Sequence, residues 1–347
     1  MSPQLQLHED NLLDYLGNSG LLGADAEFSI EPVGDGNINW VRRVRGASGS
    51  RVVKQARPTL ERFPEYAAPT ERIAIEARFF EVAAPFDLEG ICPRVLAFDP
   101  EQSVLVLEDL GDAERLDAAL ARGAEVSAPA ATLARFLARL HAGCTQTALR
   151  ERFANGAMQR LHGDHIFHLP FRANDFALRP VVAERARQIR ADAGLIAKID
   201  AAYARYLEPK GTLVHGDVQP ANVLLTAAGP KLLDAEIAHV GDPAFDIGQL
   251  LGHLLLPAAA RGEPETALPA LRSTWAAYAA AGADASPAVL DAVSRYAGIE
   301  LLRRTLGAAR VPAVASDNAS LAVVDSGLAL IREGLVLAGE RLVPGAT

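Results

Sequence analysis

Short apolar runs separated by turn residues make up much of the first third of the chain. Examples are RVVKQA at 51–56 and VLVLE at 104–108, and such runs predict β-strands. Two amphipathic patterns of helical period interrupt them, EDNLLDYLG at 9–17 and ERIAIEARFFEVAA at 71–84. We therefore expect a small, β-rich unit with few helices at the N-terminal end of the chain.

Helical periodicity dominates the remainder of the chain. Apolar residues recur at helical spacing in 128–144, and residues 182–208 predict one long helix. The pattern changes near Gly111, and 347 residues are more than one compact core usually holds. The sequence therefore predicts an α+β protein with two lobes, a small β-rich N-lobe over 1–111 and a larger, mostly helical C-lobe over 112–347.

Composition narrows the range of partners and compartments. A formal net charge of -9 argues against a nucleic-acid partner, which would call for a basic face. Cys92 and Cys144 lie far apart without a C-x-x-C pattern, so we expect a reducing cytoplasm and neither a zinc site nor a disulfide framework. The polar N-terminal segment is not typical of a signal peptide, and LLGHLLLP at 250–257 is too short to cross a bilayer, so we expect no membrane association.

The densest group of polar residues lies in 213–248, where an H-G-D motif ending at Asp217 is followed by Asn222, an apolar strand, Asp234 and Glu236. Phosphoryl transfer needs an aspartate beside the attacking hydroxyl, an asparagine five positions on for a metal ion, and an acidic metal ligand after the next strand. This predicts Asp217 as the proton acceptor, Asn222 and Asp234 as Mg²⁺ ligands, and Glu236 as support for a second metal ion. A β-hairpin with a polar loop is the alternative, but it explains fewer of these positions.

A turn rich in glycine and asparagine separates the first two predicted strands. Its glycines would let backbone amides approach a phosphate group closely, and its asparagines can satisfy the remaining donors of the turn. On its own, the turn is also explained by a tight β-hairpin without a ligand. Together with the downstream motif it predicts a turn that covers the phosphates, formed by Gly34, Asp35, Gly36, Asn37 and Asn39.

Lys54 lies on a predicted strand, 20 residues beyond Gly34, at the spacing that nucleotide kinases use for the lysine of the α- and β-phosphates. Glu76 follows 22 residues later on a predicted helix and is placed to hold Lys54 by an ion pair. An exposed strand lysine and a solvated glutamate are the alternatives. The strand that ends at Glu108 would lead into a hinge between the lobes, where the backbone around Glu108 and Leu110 would bind adenine.

Consecutive arginines, Arg303 and Arg304, interrupt a largely apolar helix. Neighbouring residues project from different faces of a helix, so a solvated stripe explains only one of them. We therefore expect at least one of them to bind a phosphate or the substrate.

A second H-G-D motif ends at Asp164, but no asparagine follows it at the required spacing. His162, His165 and His168 surround it without the pattern of a zinc site, so 158–171 predicts a substrate-side loop or a structural turn.

Two other polar residues receive structural interpretations. His141 stands at the end of a predicted helix, where a positive charge interacts favourably with the helix dipole. Asp246 stands at the start of another, where its carboxylate could cap free amides.

Taken together, H-G-D-x4-N and D-x-E resemble the motifs of the small-molecule kinases of the aminoglycoside phosphotransferase superfamily, which share the bilobal protein-kinase-like fold. A closer resemblance, to the methylthioribose kinases, spans nearly the whole chain. It rests on GDGNINWV at 34–41, VVKQARP at 52–58, PTERIAIEA at 69–77, FDPEQSVLVLEDL at 98–110, MQRLHGDHIFHLPF at 158–171, FDIG at 245–248 and LLRRTLGAARV at 301–311.

The resemblance implies an ATP- and Mg²⁺-dependent kinase that phosphorylates a hydroxyl of a small sugar-like molecule, 5-methylthioribose or a close analogue. Arg303 and Arg304 would neutralise charge near the transferred phosphoryl group or bind the sugar. An aminoglycoside, choline or other alcohol kinase is the alternative, since QPAN, DAEI and GDPAFDIG are more typical of the aminoglycoside-type enzymes. A nucleotide-binding pseudokinase is disfavoured by the intact motifs, and a homodimer is one of the open oligomeric states.

Overall fold

The computed structural model describes residues 4–22, 27–34, 38–61 and 66–334. Its N-terminal lobe contains one antiparallel sheet of five strands in the order β1-β2-β3-β5-β4, with two helices. The elements of this lobe are α1 (Glu9–Asn18), β1 (Ser29–Pro32), β2 (Trp40–Gly46), β3 (Gly49–Gln55), α2 (Arg72–Ala83), β4 (Val95–Asp99) and β5 (Val104–Glu108).

The C-terminal lobe is mostly helical and contains two small antiparallel sheets, β10-β7 and β6-β8-β9. Its elements are β6 (Glu114–Arg115), α3 (Leu116–Ala121), α4 (Ser127–Gly143), α5 (Leu149–Arg152), α6 (Gly156–Gly163), α7 (Pro180–Ala191), α8 (Ala193–Leu207), β7 (Thr212–Val214), β8 (Val223–Thr226), β9 (Gly229–Leu232), β10 (His239–Gly241), α9 (Ala244–Arg261), α10 (Leu268–Ala280), α11 (Pro287–Leu306) and α12 (Asp317–Glu333). The predicted α+β arrangement of a β-rich and a mostly helical lobe is confirmed.

The alternation of side chains along the strands gives the N-terminal sheet two different faces. One face packs against α1 in a separate apolar cluster that includes Trp40 and Val53. The other face belongs to the main core, which Leu105 and Leu107 of β5 join together with α2. Lys54 follows Val53 on β3 and pairs in register with Leu105. It therefore points to the side of the sheet that faces the C-terminal lobe.

Helix α9 forms the centre of the C-terminal lobe. Its side chains are apolar around most of its circumference, and this allows α11, α12, α4 and α10 to pack against it. Gly252 permits the close crossing of α11, since a Cβ there would lie 3.0 Å from the carbonyl oxygen of Ala297. Among the helices of the described ranges, none is both long and apolar enough to cross a membrane.

Two predictions about elements of the C-terminal lobe are wrong. The segment 182–208 is not one helix, because Asp192 ends α7 and then caps α8 by accepting a hydrogen bond of 2.9 Å from the amide of Leu195. The segment 158–171 is helical: α6 continues into a π-helical turn at Asp164–His168 and a 3-10 turn at Leu169–Phe171. Gly111 lies between β5 and β6, and the division of the chain there stays a prediction.

Candidate active site

The loop between β7 and β8 contains the aspartate of the first motif in 213–248. The side chain of Asp217 is buried, and its Oδ2 atom accepts hydrogen bonds of 2.8 Å from Asn222 Nδ2 and 2.7 Å from Gln219 Nε2. Asn222 Nδ2 also donates to the backbone oxygen of Asp217 at 3.0 Å. The two predicted residues are therefore in direct contact, and a third, Gln219, joins them.

Asp246 determines the path of this loop. It is the third residue of α9, yet its carboxylate accepts hydrogen bonds from the loop amides of His215 at 2.8 Å and Gly216 at 2.9 Å. His141 contacts the same carboxylate at 3.1 Å, and Tyr278 contacts the other ring nitrogen of His141 at 2.9 Å. The predicted role of Asp246 as a cap of its own helix is wrong, whereas His141 lies in the last turn of α4, as the sequence predicts. Both residues are buried supports of the loop.

The surroundings of Asp217 favour its ionised form. Burial by itself would raise its pKa, but the neighbouring His162 and the positive charges of Arg303 and Arg304 outweigh burial and hold the pKa well below the usual range of an aspartate. His162 Nε2 lies 3.5 Å from Asp217 Oδ1. Asp217 is thus a carboxylate at any ordinary pH, as a proton acceptor must be.

The second H-G-D motif contributes its histidine to the site and its aspartate to the fold. His162 stands on α6, and the turn of helix after it brings Asp164 to Tyr203, whose hydroxyl donates to Asp164 Oδ1 at 2.8 Å. The segment is therefore a helix that brings His162 to Asp217, and its position on the substrate side stays a prediction.

Lys54, Glu76 and Asp234 form a compact group between the two lobes. Lys54 Nζ lies 2.7 Å from Glu76 Oε2 and also contacts Asp234 Oδ1. Burial would lower the pKa of Lys54, but the charges of Asp234, Glu76 and Glu236 raise it above its ordinary value, so the lysine is charged. The predicted ion pair between Lys54 and Glu76 is confirmed. Asp234 joins it because the backbone turns sharply after β9, with φ of 66° at Asp234.

Glu236 and Asn39 have partners that the sequence did not indicate. Asn39 Nδ2 donates to Glu236 Oε2 at 2.7 Å, and Asn39 Oδ1 accepts from Arg72 Nε at 3.0 Å. Burial and the charges of Asp234 and Glu76 raise the pKa of Glu236 to about 7, while Lys54 and Arg72 act in the opposite direction. These contacts connect the N-terminal sheet and α2 to the D-x-E motif. The predicted role of Glu236 at a second metal ion stays a prediction.

The predicted turn and hinge are described in part. Gly34 has φ of 71°, in the left-handed region that favours glycine, whereas Asp35, Gly36 and Asn37 lie outside the described residues. The Glu108 side chain accepts hydrogen bonds from the backbone and side chain of Arg94 at 2.9 and 2.8 Å. Any contact of Glu108 or Leu110 with a nucleotide stays a prediction, and for Glu108 it would involve the backbone.

Arg303 and Arg304 are both buried near the end of α11. Their Nε atoms donate to the two oxygens of Glu300 at 2.9 Å each, and His253 Nε2 lies 2.9 Å from Glu300 Oε1. Burial would raise the pKa of Glu300, but the two guanidinium groups and His253 hold it well below its usual value. Arg304 Nη2 also donates to Gln219 Oε1, so the arginine pair lies beside the loop that contains Asp217.

The donor set suits Mg²⁺ with bound phosphates. Asn222 uses its amide nitrogen for Asp217, and its oxygen has no hydrogen bond within the described ranges. Asp234 has a partly exposed side chain whose Oδ1 contacts Lys54. The part of the chain that the structure describes has no cluster of three or more histidine, cysteine, aspartate or glutamate side chains arranged for a metal ion. Mg²⁺ fits this arrangement because it usually takes one or two protein ligands and completes its shell with phosphates and water.

Sequence comparison identifies the family. Residues 29–289 match the phosphotransferase enzyme family APH, which is well over half of the chain. The chain belongs to this family. It is 31% identical over 368 residues to a methylthioribose kinase of Pectobacterium atrosepticum, with 92% of this chain and 88% of the relative covered. It is 27% identical over 339 residues to a methylthioribose kinase of Bacillus cereus strain G9842, with 88% and 85% covered.

This phosphotransferase has the protein-kinase-like fold that its motifs predict. A choline/ethanolamine kinase family protein from Mesorhizobium loti superposes with a TM-score of 0.55 at 20% identity, covering 93% of this chain and 94% of that chain. The predicted resemblance to methylthioribose kinase-like members of the family is confirmed. The protein is an ATP-dependent kinase that acts on an alcohol group of a small molecule.

Several residues of the phosphotransferase site had no predicted role, among them His162, Gln219 and Glu300. A usable signal existed for Glu300, because it precedes the two arginines by three and four positions and therefore shares their side of α11. Gln219 stands two positions after Asp217, but nothing in the sequence indicates that it contacts Arg304. His162 belongs to a helix far from the loop in sequence, so only the fold brings it to Asp217.

Proposed function

We propose that this phosphotransferase transfers the γ-phosphoryl group of ATP, with Mg²⁺, to a hydroxyl of 5-methylthioribose or a closely related neutral sugar. The observation that carries the proposal is the contact of Arg304 with Gln219, directly beside Asp217. A guanidinium group there favours a neutral acceptor that becomes an anionic phosphate ester. A polycationic aminoglycoside would meet two buried positive charges at the same place. The names of the two relatives support the sugar as the substrate.

Each side of the site has a proposed part in the reaction. Asp217 would orient the substrate hydroxyl and accept its proton, because it is the ionised carboxylate of the loop. Lys54, held by Glu76, would bind the α- and β-phosphates. Mg²⁺ at Asn222 and Asp234 would supply positive charge to the phosphate oxygens. Arg303 and Arg304 would stabilise the negative charge that spreads over the transferred group.

The remaining assignments concern binding of the nucleotide. The turn at 34–39 would cover the phosphates, and the backbone at Glu108 and Leu110 would bind the adenine. Glu236 would support a second metal ion, although its Oε2 atom accepts a hydrogen bond from Asn39. The lobes would then meet at Gly111, with the nucleotide between them. A homodimer is compatible with these assignments and is not required by them.

A substrate panel tests the proposed acceptor. Phosphate transfer from ATP is measured with methylthioribose, ribose, an aminoglycoside and choline at equal concentrations, with and without Mg²⁺. We expect methylthioribose to give the highest kcat/KM, and no transfer without Mg²⁺. A preference for the aminoglycoside or choline would exclude the sugar and leave the broader alcohol kinase.

A further inference from the structure

We propose that Gln219 and Glu300 are positioning residues that connect the arginine pair to the catalytic carboxylate. They complete a continuous chain of hydrogen bonds from Glu300 through Arg304 and Gln219 to Asp217. The inference rests on the proposed function in one respect, that Asp217 is the proton acceptor. It applies to whichever alcohol the enzyme phosphorylates.

Arg304 determines which way the Gln219 amide points. A guanidinium group has only donors, so the Gln219 atom that it contacts must be the oxygen, Oε1. The amide nitrogen of Gln219 then points to Asp217 and donates to Oδ2 at 2.7 Å. The opposite orientation would bring an oxygen against the Asp217 carboxylate and an NH₂ group against the guanidinium. Arg304 thereby makes Gln219 a donor to the catalytic residue.

Glu300 determines where the guanidinium of Arg304 lies. Its two oxygens accept from the Nε atoms of both arginines, and only 1% of its surface is exposed. Glu300 accepts from the Nε atom of Arg304, so the two terminal nitrogens of Arg304 are left to donate to Gln219 and to the backbone oxygen of Ala309. Breaking such a buried pair leaves an uncompensated charge, so the arrangement resists rearrangement.

Two side chains that are themselves held in different ways donate hydrogen bonds to Asp217. Asn222 donates to Oδ2 from within the catalytic loop, whereas Gln219 is itself held by α11. Asp217 is therefore aligned with the arginines that would meet the transferred phosphoryl group. Loss of the Gln219 donor would leave the carboxylate freer to rotate. It would slow the transfer step without affecting the nucleotide at Lys54.

Replacement of Gln219 tests the connection between Arg304 and Asp217. Gln219→Met keeps the length of the side chain and removes both hydrogen bonds. We expect kcat for the alcohol that the parent enzyme phosphorylates to fall by about 10- to 100-fold, with the KM for ATP unchanged within about twofold, as for a lost hydrogen bond to a charged group. Gln159→Met is the matched control, because Gln159 is also buried and donates to the backbone oxygen of Tyr206 at 2.7 Å on α8. It should lower the melting temperature but leave kcat within about twofold.

A double-mutant cycle tests whether Glu300 acts through Gln219. We expect Glu300→Gln to lower kcat by about tenfold or more and the double variant to lose little beyond the larger single loss, since both changes interrupt one chain. Glu89→Gln controls for the loss of a carboxylate that pairs with two arginines, because Glu89 pairs with Arg135 and Arg139 of α4, which are not members of the proposed chain of hydrogen bonds. It should lower the melting temperature without the loss of kcat.

Two results would overturn the proposal: a Gln219→Met enzyme that keeps kcat within threefold of the parent, or losses that simply multiply in the double variant. Both are judged on variants whose thermal unfolding shows a folded protein at the assay temperature. A parent enzyme that ignores methylthioribose but phosphorylates another alcohol would refute the proposed substrate only. The cycle would then be measured with that alcohol.

Discussion

The group around Lys54, which we propose as the nucleotide side, and the group around Asp217, which we propose as the substrate side, hold their charged residues in different ways. On the nucleotide side, Lys54, Glu76 and Asp234 come from three separate elements and meet around a single cation. On the substrate side, Asp217 and Gln219 share one loop, Arg304 belongs to one helix, and the groups form a linear chain. The first group is defined by long-range ion pairs, whereas the second depends on the orientation of one amide.

The balance of charge also differs between the two sides. Acidic groups predominate around Lys54, where Glu76, Asp234 and Glu236 all raise the pKa of the lysine. Cationic groups predominate around Asp217, where Arg303 and Arg304 lower the pKa of the aspartate. An acidic surplus attracts a metal ion, and a cationic surplus stabilises a phosphoryl group in transit. The two sides therefore differ in the sign of the charges that surround their central residues.

The largest expected effect is at the proton acceptor. Asp217→Asn should reduce kcat by about 10³-fold or more, because an amide cannot accept the proton, while ATP binding at Lys54 stays nearly intact. The measurement is kcat under saturating substrates together with the dissociation constant of ATP. A rate loss below tenfold would contradict the assignment of Asp217 as the base. Weakened ATP binding would contradict the prediction that Asp217 does not contribute to nucleotide binding.

The arginine pair should give the next largest effect. Arg303→Lys and Arg304→Lys keep the charge but lose the planar donor fork. We therefore expect kcat/KM for methylthioribose to fall, with a loss of transition-state stabilisation of about 2–4 kcal/mol. Alanine variants should lose at least as much. If all four variants stay within threefold of the parent, neither arginine acts at the transferred group.

Acidification should destabilise the protein through a buried histidine of β10. Burial lowers the pKa of His239 from 6.5 to about 4, so the unfolded chain binds more protons than the folded protein between these values. This stability is therefore fully present above about pH 6.5 and is lost progressively as the pH falls to about 4, by about 3 kcal/mol. Denaturant unfolding of the parent and His239→Gln between pH 4 and pH 8 should show a smaller loss on acidification in the variant. Equal losses would refute the assignment.

The smallest effect should come from the second H-G-D motif. Asp164→Asn keeps an oxygen that accepts the partly buried hydrogen bond from Tyr203 and removes only the negative charge, so we expect a loss of at most about 1 kcal/mol of stability and kcat within about twofold of the parent. The same substitution at Asp217 is its matched comparison. Loss of Mg²⁺-dependent ATP binding in Asp164→Asn would mean that the second motif, and not the first, forms the catalytic loop.

The contacts that could be predicted were those between residues whose spacing along the chain matches a known motif. The spacing along the chain from Lys54 to Glu76 indicated an ion pair, and the structure contains it. The partner of Asn39 could not be predicted, because Glu236 is nearly two hundred positions away and no local pattern joins the two. The break at Asp192 was missed for another reason: a polar residue that caps a helix is also compatible with its interior.

The sequence by itself determined the two-lobed α+β architecture and the family, and it predicts which loop is catalytic, because strand and helix periods and closely spaced motifs are local properties of the chain. Only the tertiary structure decided that Asp246 and His141 support that loop, that His162 borders Asp217, and that Glu300 directs Arg304 to Gln219. Those contacts depend on how α4, α6, α9 and α11 pack around one core. Packing is set by the summed burial of many apolar side chains, so no single stretch of sequence encodes which polar groups it brings together.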